Sequence, residues 1–188
     1  MVTTEHATGR TTAHAGPASA DEAAGARALA AAAAVADPEL PMLTLADLGI
    51  LRGVDLDEDG TVQVWITPTY SGCPALTEMR ADVDRAVRAA GFDRVRVRTA
   101  LSPAWTTDWI TGEGRRKLAE HGISPPGQAP PRAPGPVPLT LMPTRTVPRC
   151  PLCGAADTEE LSRFGATSCK SLHRCRSCLE PFEHVKEI

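Results

Sequence analysis

The sequence predicts an α+β protein in two parts: a small mixed sheet with helices packed on it, then a proline-rich linker and a compact cysteine module. Three observations carry this. Residues 21–123 alternate between helical and strand periods. Residues 124–148, SPPGQAPPRAPGPVPLTLMPTRTVP, are too dense in proline for a helix or sheet interior and read as an extended, semi-rigid linker. Residues 149–188 hold five of the six cysteines, four of them as two C-x-x-C pairs.

The elements follow in order. Residues 1–20 contain no apolar run of the kind a secretory signal needs and read as a disordered tail. Residues 22–36 are an alanine-rich helix that stops at Asp37-Pro38, because the residue before proline avoids the helical region. Ile50, Val54 and Leu56 start an alternating strand; DEDG (57–60) turns the chain, and Val62, Val64 and Ile66 return it as a hairpin. Residues 74–90 place Leu76, Met79, Val83, Ala86, Val87 and Ala90 on one helical face, with Gly91 as the stop. In 93–101, Val95, Val97, Thr99 and Leu101 alternate with three arginines, as on a strand with one buried and one wet face. A last helix covers 112–121.

Composition excludes some function classes. The net charge of -3 gives no general attraction to nucleic acid or anionic lipid. No apolar run approaches the roughly 20 residues that cross a bilayer. Paired cysteines in a chain without an export signal favour reduced thiols, metal binding and a cytoplasmic setting.

Cys150/Cys153 and Cys175/Cys178 are two knuckles, each able to offer two sulfurs at one edge of a tetrahedron. The 21 residues between them can run out and back as a β-hairpin, which makes residues 149–188 a zinc ribbon. Forty residues bury little core, so zinc would be the structural staple. Cys169 is left over, either replacing a member of the second pair or standing beside it; His173 and His184 read as surface residues. The module holds six Lys/Arg and six Asp/Glu, and its one basic cluster, Lys170, Arg174 and Arg176, is small. A structural or protein-docking ribbon fits better than a nucleic-acid-binding one.

The lone Cys73 lies in PTYSGCPA (68–75). Pro74 suits the first position of a helix, which puts Cys73 at the N-cap, where free N–H groups and the helix dipole lower a thiol pKa. The other reading is a small packed hydrophobe. Asp37 and Glu39, in DPELP (37–41), either approach this turn or face water at a helix end. Trp105 and Trp109, four apart in SPAWTTDW (102–109), read as core or interface anchors on one helical face.

Together, DPELPMLTLADLG (37–49), TPTYSGCPA (67–75), SPAWTTDWIT (102–111), GISPP (122–126) and the C-terminal CPLCG…FGATSCKSLHRCRSCLEPF resemble the PaaD family. Its members are accessory components of the bacterial phenylacetyl-CoA oxygenase (epoxidase) of phenylacetate degradation. The N-terminal module resembles, more broadly, SufT-like iron–sulfur assembly domains. The resemblance implies a non-catalytic maturation factor that handles transient iron or an iron–sulfur cluster for another oxygenase subunit, above all the flavin reductase with its [2Fe–2S] centre. It implies that Cys73 is the functional thiol, with Asp37 and Glu39 beside it. A homodimer sharing one cluster between two copies of Cys73 is compatible with it. The family pattern often has a cysteine at the penultimate position, where this chain has Glu187. Two other classes are a structural docking subunit with an inert Cys73, and an enzyme using Cys73 as nucleophile, for which the sequence names no base.

Overall fold

The computed structural model describes residues 20–129 and 147–188. The expected tail, up to residue 19, and residues 130–146 of the expected linker lie outside the described residues.

The first module runs α1 (Ala20–Ala33), β1 (Leu51–Leu56), β2 (Val62–Ile66), α2 (Leu76–Ala89), β3 (Val95–Thr99) and α3 (Gly112–Glu120). Its sheet is mixed, in the order β1-β2-β3, with β1 antiparallel and β3 parallel to β2. The hairpin turns at Gly60, which has φ +77°. Helix α2 buries Met79, Val83 and Val87, spaced by four so that they stack on one face. They meet Val62, Val64 and Ile66 of β2 and Ala28 and Ala32 of α1 in one core. Each fully buried side chain of this kind contributes roughly 1.5–3 kcal/mol, so β2 and α2 anchor the module.

Three expectations need correction. Helix α1 ends at Ala33, three residues early, because the chain pairs Ala36 with Thr44 before reaching the Asp37-Pro38 turn. β3 is an edge strand, so its apolar face is half-buried. Trp105 and Trp109 do not share a helical face: Trp105 lies in irregular chain before a three-residue 3-10 turn that ends at Trp109. Trp105 is buried and donates from Nε1 to the Leu48 carbonyl at 2.9 Å, and Trp109 stacks on the Arg52 guanidinium at 3.6 Å. Gly49 permits this: its φ is +66°, and a Cβ there would stand 2.6 Å from the Trp109 carbonyl oxygen.

The cysteine module forms β5 (Thr158–Ser162), β6 (Lys170–Cys175) and β7 (Pro181–Val185), an antiparallel ribbon. Ser124, placed by composition at the head of the linker, instead belongs to β4 (Ile123–Ser124), which pairs in parallel with β7. The second sheet therefore reads β4-β7-β6-β5 and ties the ribbon to the first module. The tie continues into the core. Val185 and Ile123 belong to the first module's apolar cluster, Ile188 packs against it, and the Thr107 N–H donates to the Ile188 carbonyl at 3.2 Å.

Candidate metal-handling sites

The two knuckles bring Cys150, Cys153, Cys175 and Cys178 together, with all four sulfurs within 4.8 Å of one another. Sulfur pairs stand 3.7 Å apart (Cys150 and Cys178) and 3.6 Å apart (Cys153 and Cys175). A tetrahedron with 2.3 Å metal–sulfur bonds has edges of about 3.8 Å, so the set fits zinc closely. Each knuckle closes through a residue at positive φ, Gly154 at +76° and Leu179 at +66°. Among the described residues no other group of three or more potential ligands is drawn together this way.

Cys169 lies outside that tetrad. It precedes β6, and Cys175 ends it; six residues of extended strand separate them by about 20 Å. Glu187 is not a ligand either. Its carboxylate accepts the Gly127 N–H at 2.9 Å and stands 3.4 Å from His184 Nε2. Burial opposes its charge, yet these two donors hold its pKa down at about 2. The ribbon therefore closes on four cysteines despite departing from the family pattern at this position.

His173 and His184 are buried, against expectation. His173 stacks on Phe182, His184 meets it edge-on, and His184 Nδ1 lies 3.2 Å from the Ser124 carbonyl. They help pack the seam between β4, β6 and β7. The expected basic cluster is neutralised locally: Lys170 pairs with Glu183, Arg174 with Glu159, and Arg176 with Glu159 and Asp157.

The second site is a cavity of about 30 Å³ between the modules. Asp37, Glu39 and Cys73 line it from the first module and Cys169 from the ribbon, with Trp105, Met79, Val185 and Ile188 among its apolar walls. Asp37 is buried rather than facing water; its Oδ1 accepts the N–H groups of Leu40 at 2.8 Å and Glu39 at 3.0 Å. Glu39 is half-buried and makes no such turn.

Cys73 is half-buried, and its thiol pKa is raised, not lowered. Burial is the main cause. The Ala75 N–H pulls the other way, but the charges of Glu39, Asp37 and Cys169 add to the rise. The N-cap expectation fails because α2 begins at Leu76 with Ala75 as its N-cap. Cys73 sits one turn upstream, its carbonyl accepting the Leu76 N–H at 3.3 Å. Burial likewise raises Asp37, against the N–H groups of Leu40 and Glu39, and raises Glu39, helped by the charge of Asp37. Lys170 opposes the rise at both. Burial raises Cys169, with Glu39 adding to the rise and the Thr167 hydroxyl and Lys170 opposing it. The cavity thus gathers four acidic groups whose shared negative charge is disfavoured, which is the environment a cation relieves.

Sequence reasoning found Asp37, Glu39, Cys73 and the four knuckle cysteines. It missed Cys169 and Lys170 as parts of the cavity, since only the β6–β7 pairing carries them there.

Comparison with known proteins agrees with this two-part construction. Residues 26–99 match the family model described as "Iron-sulfur cluster assembly protein", and residues 134–186 match "PaaD zinc beta ribbon domain". The chain is 34% identical over 85 residues to "Fe-S protein maturation auxiliary factor" of Porphyromonas gingivalis (strain ATCC BAA-308 / W83), covering 45% of this chain and 80% of that protein. It is 35% identical over 77 residues to "Fe-S protein maturation auxiliary factor YitW" of Bacillus subtilis (strain 168), covering 39% and 72%. With the PaaD-type component of the "Putative 1,2-phenylacetyl-CoA epoxidase" of Escherichia coli (strain K12) the identity is 44% over 154 residues, covering 82% of this chain and 87% of that one. That likeness spans both modules, and the chain belongs to the PaaD family of phenylacetyl-CoA epoxidase components.

Proposed function

We propose that this protein is a non-catalytic accessory factor of a phenylacetyl-CoA epoxidase system, and that it handles iron or an iron–sulfur cluster for a partner subunit such as the flavin reductase with its [2Fe–2S] centre. The observation that carries this is the half-buried cavity where Cys73 meets Asp37 and Glu39. Soft sulfur suits iron, and an incomplete ligand set suits cargo that must leave again. Zinc is the resident metal at Cys150, Cys153, Cys175 and Cys178, where it would close the ribbon and hold β7 in the shared core.

A nucleophilic enzyme is a poor fit. Glu39 is the nearby base, but an ordinary carboxylate near pKa 4.5 cannot deprotonate a thiol raised above 9. A docking role with an inert Cys73 draws on one specific observation: Leu152 and Leu179, at the tips of the two knuckles, are exposed. Exposed apolar side chains at a rigid metal-held tip suit a partner contact, and they serve a maturation factor equally well.

The test expresses the whole oxygenase operon with this component as wild type or Cys73→Ser, then measures iron and acid-labile sulfide in the purified reductase and di-iron subunit. A reductase poor in both, with the variant folded, supports maturation. Full metal in both partners leaves docking as the function.

A further inference from the structure

We propose that Cys169 is the second thiol of the Cys73 site, so that the ribbon and the first module together hold a single thiophilic divalent cation of the Fe²⁺ class. This deepens the maturation reading and rests on it.

The positions are built. Cys169 and Cys73 come from different modules, 96 positions apart in sequence, yet line one cavity and influence each other electrostatically. The Cys169 backbone is fixed on one side by the Lys186 N–H, which donates to its carbonyl at 3.0 Å. On the other side, Glu183 spans the approach loop, accepting from the Ala166 N–H at 3.0 Å and the Lys170 ammonium at 2.6 Å. The Cys169 sulfur lies 3.0 Å from the Thr167 hydroxyl, and it takes no part in the knuckle tetrad. No role in the ribbon's own fold accounts for a thiol turned into the seam.

Size selects the occupant. A cavity of about 30 Å³ admits one or two water-sized guests. A lone ion fits; a cluster of two irons and two sulfides does not unless the ribbon lifts. Chemistry selects the class: two thiols with Glu39 as an oxygen donor favour a soft or borderline cation over magnesium or calcium. As each sulfur–iron bond forms, that thiol loses its proton to solvent, and no electron changes hands. The ligand atoms are not drawn into a closed shell beforehand, so binding must pull Cys73 and Cys169 together, and release is correspondingly easy.

The test titrates Fe²⁺ alone, without oxygen, into the zinc-loaded full chain and reads the sulfur-to-iron charge-transfer band and protons released. Wild type should take one Fe²⁺ beyond the zinc and release two protons. Cys169→Ser should lose about half the band, release one proton and bind at least tenfold more weakly; Cys73→Ser should behave alike. A short bifunctional thiol reagent provides a reading that needs no variant: in zinc-loaded wild type it should join Cys73 to Cys169. The proposal falls if wild type takes up no Fe²⁺, if Cys169→Ser titrates like wild type, or if no cross-link forms. Should Cys169→Ser titrate like wild type while Cys73→Ser still starves the partner of iron, the shared site is wrong and maturation stands.

Discussion

Asp37 Oδ1 accepts the Leu40 N–H at 2.8 Å, closing the turn that brings Glu39 to the cavity. The two carboxylates of the DPELP stretch therefore differ in role. Asp37 is committed to backbone donors, and Glu39 is free to meet a cation. Asp37→Asn keeps an acceptor oxygen and should leave stability nearly unchanged. Asp37→Ala orphans two N–H groups and should lower unfolding stability by about 1–3 kcal/mol. Glu39→Gln should leave stability intact while weakening iron delivery to the partner. Urea unfolding of the three variants, set beside partner iron content, checks the division.

Cys73 should react slowly at neutral pH. Burial and the charges of Glu39, Asp37 and Cys169 raise its pKa above the ordinary value of 9, so its thiolate fraction keeps climbing beyond pH 9. Lys170 faces the two carboxylates and partly offsets them. Glu39→Gln removes one of those charges and should speed alkylation of Cys73 at pH 8 a few-fold. Mass-resolved iodoacetamide labelling of zinc-loaded protein between pH 7 and 10 gives the profile. An optimum near pH 7 would contradict the cavity electrostatics.

Glu187 ties the ribbon's end to the first module and should make that tie acid-labile. Its folded pKa, about 2, lies below the ordinary 4.5. A depressed carboxylate contributes stability in full above pH 4.5 and loses it as pH falls towards 2. Discounted for partial exposure, Glu187→Gln should cost about 1–2 kcal/mol at pH 7 and almost nothing at pH 2. Acid also strips metal from thiolates, so the informative quantity is the gap between variant and wild type at each pH.

Removing the ribbon metal should reach further than the ribbon. Cys175→Ser, or a strong chelator, breaks the tetrad; β6 and β7 then lose their anchor, and Val185 and Ile188 lose their hold on the first module's core. Loss of far-UV signal in the ribbon should be accompanied by faster alkylation of Cys73, now uncovered. Unchanged Cys73 labelling after metal removal would mean the modules dock independently of the metal.

Local patterns showed most of the first module. The period-two run at Val62, Val64 and Ile66 and the four-residue spacing of Met79, Val83 and Val87 are visible in the chain because each element buries one face. The knuckles were equally plain, since their chemistry depends on short spacing. What stayed hidden arises from distant pairing. Two residues, Ile123 and Ser124, form β4 only because β7 is there to receive them, and no local period marks a two-residue strand. His173 and His184 look like surface residues until β4 and β6 flank them. The helix rule misplaced Cys73 because α2 starts two residues after the proline, at Leu76. That offset also reversed the expected electrostatics.

The pairing of β4 with β7 also changes what chain continuity means for this molecule. The first module carries β4 and the ribbon carries β7, and residues 130–146 lie between them in sequence. A single cut in that interval separates the polypeptide into two pieces without separating the two modules, because the parallel ladder, the Glu187–Gly127 contact and the shared apolar cluster all bridge the cut. The halves should elute together from a sizing column and come apart only in denaturant. For this fold the covalent link is a convenience of synthesis, and the working unit is a complex of two small proteins that are encoded in one chain.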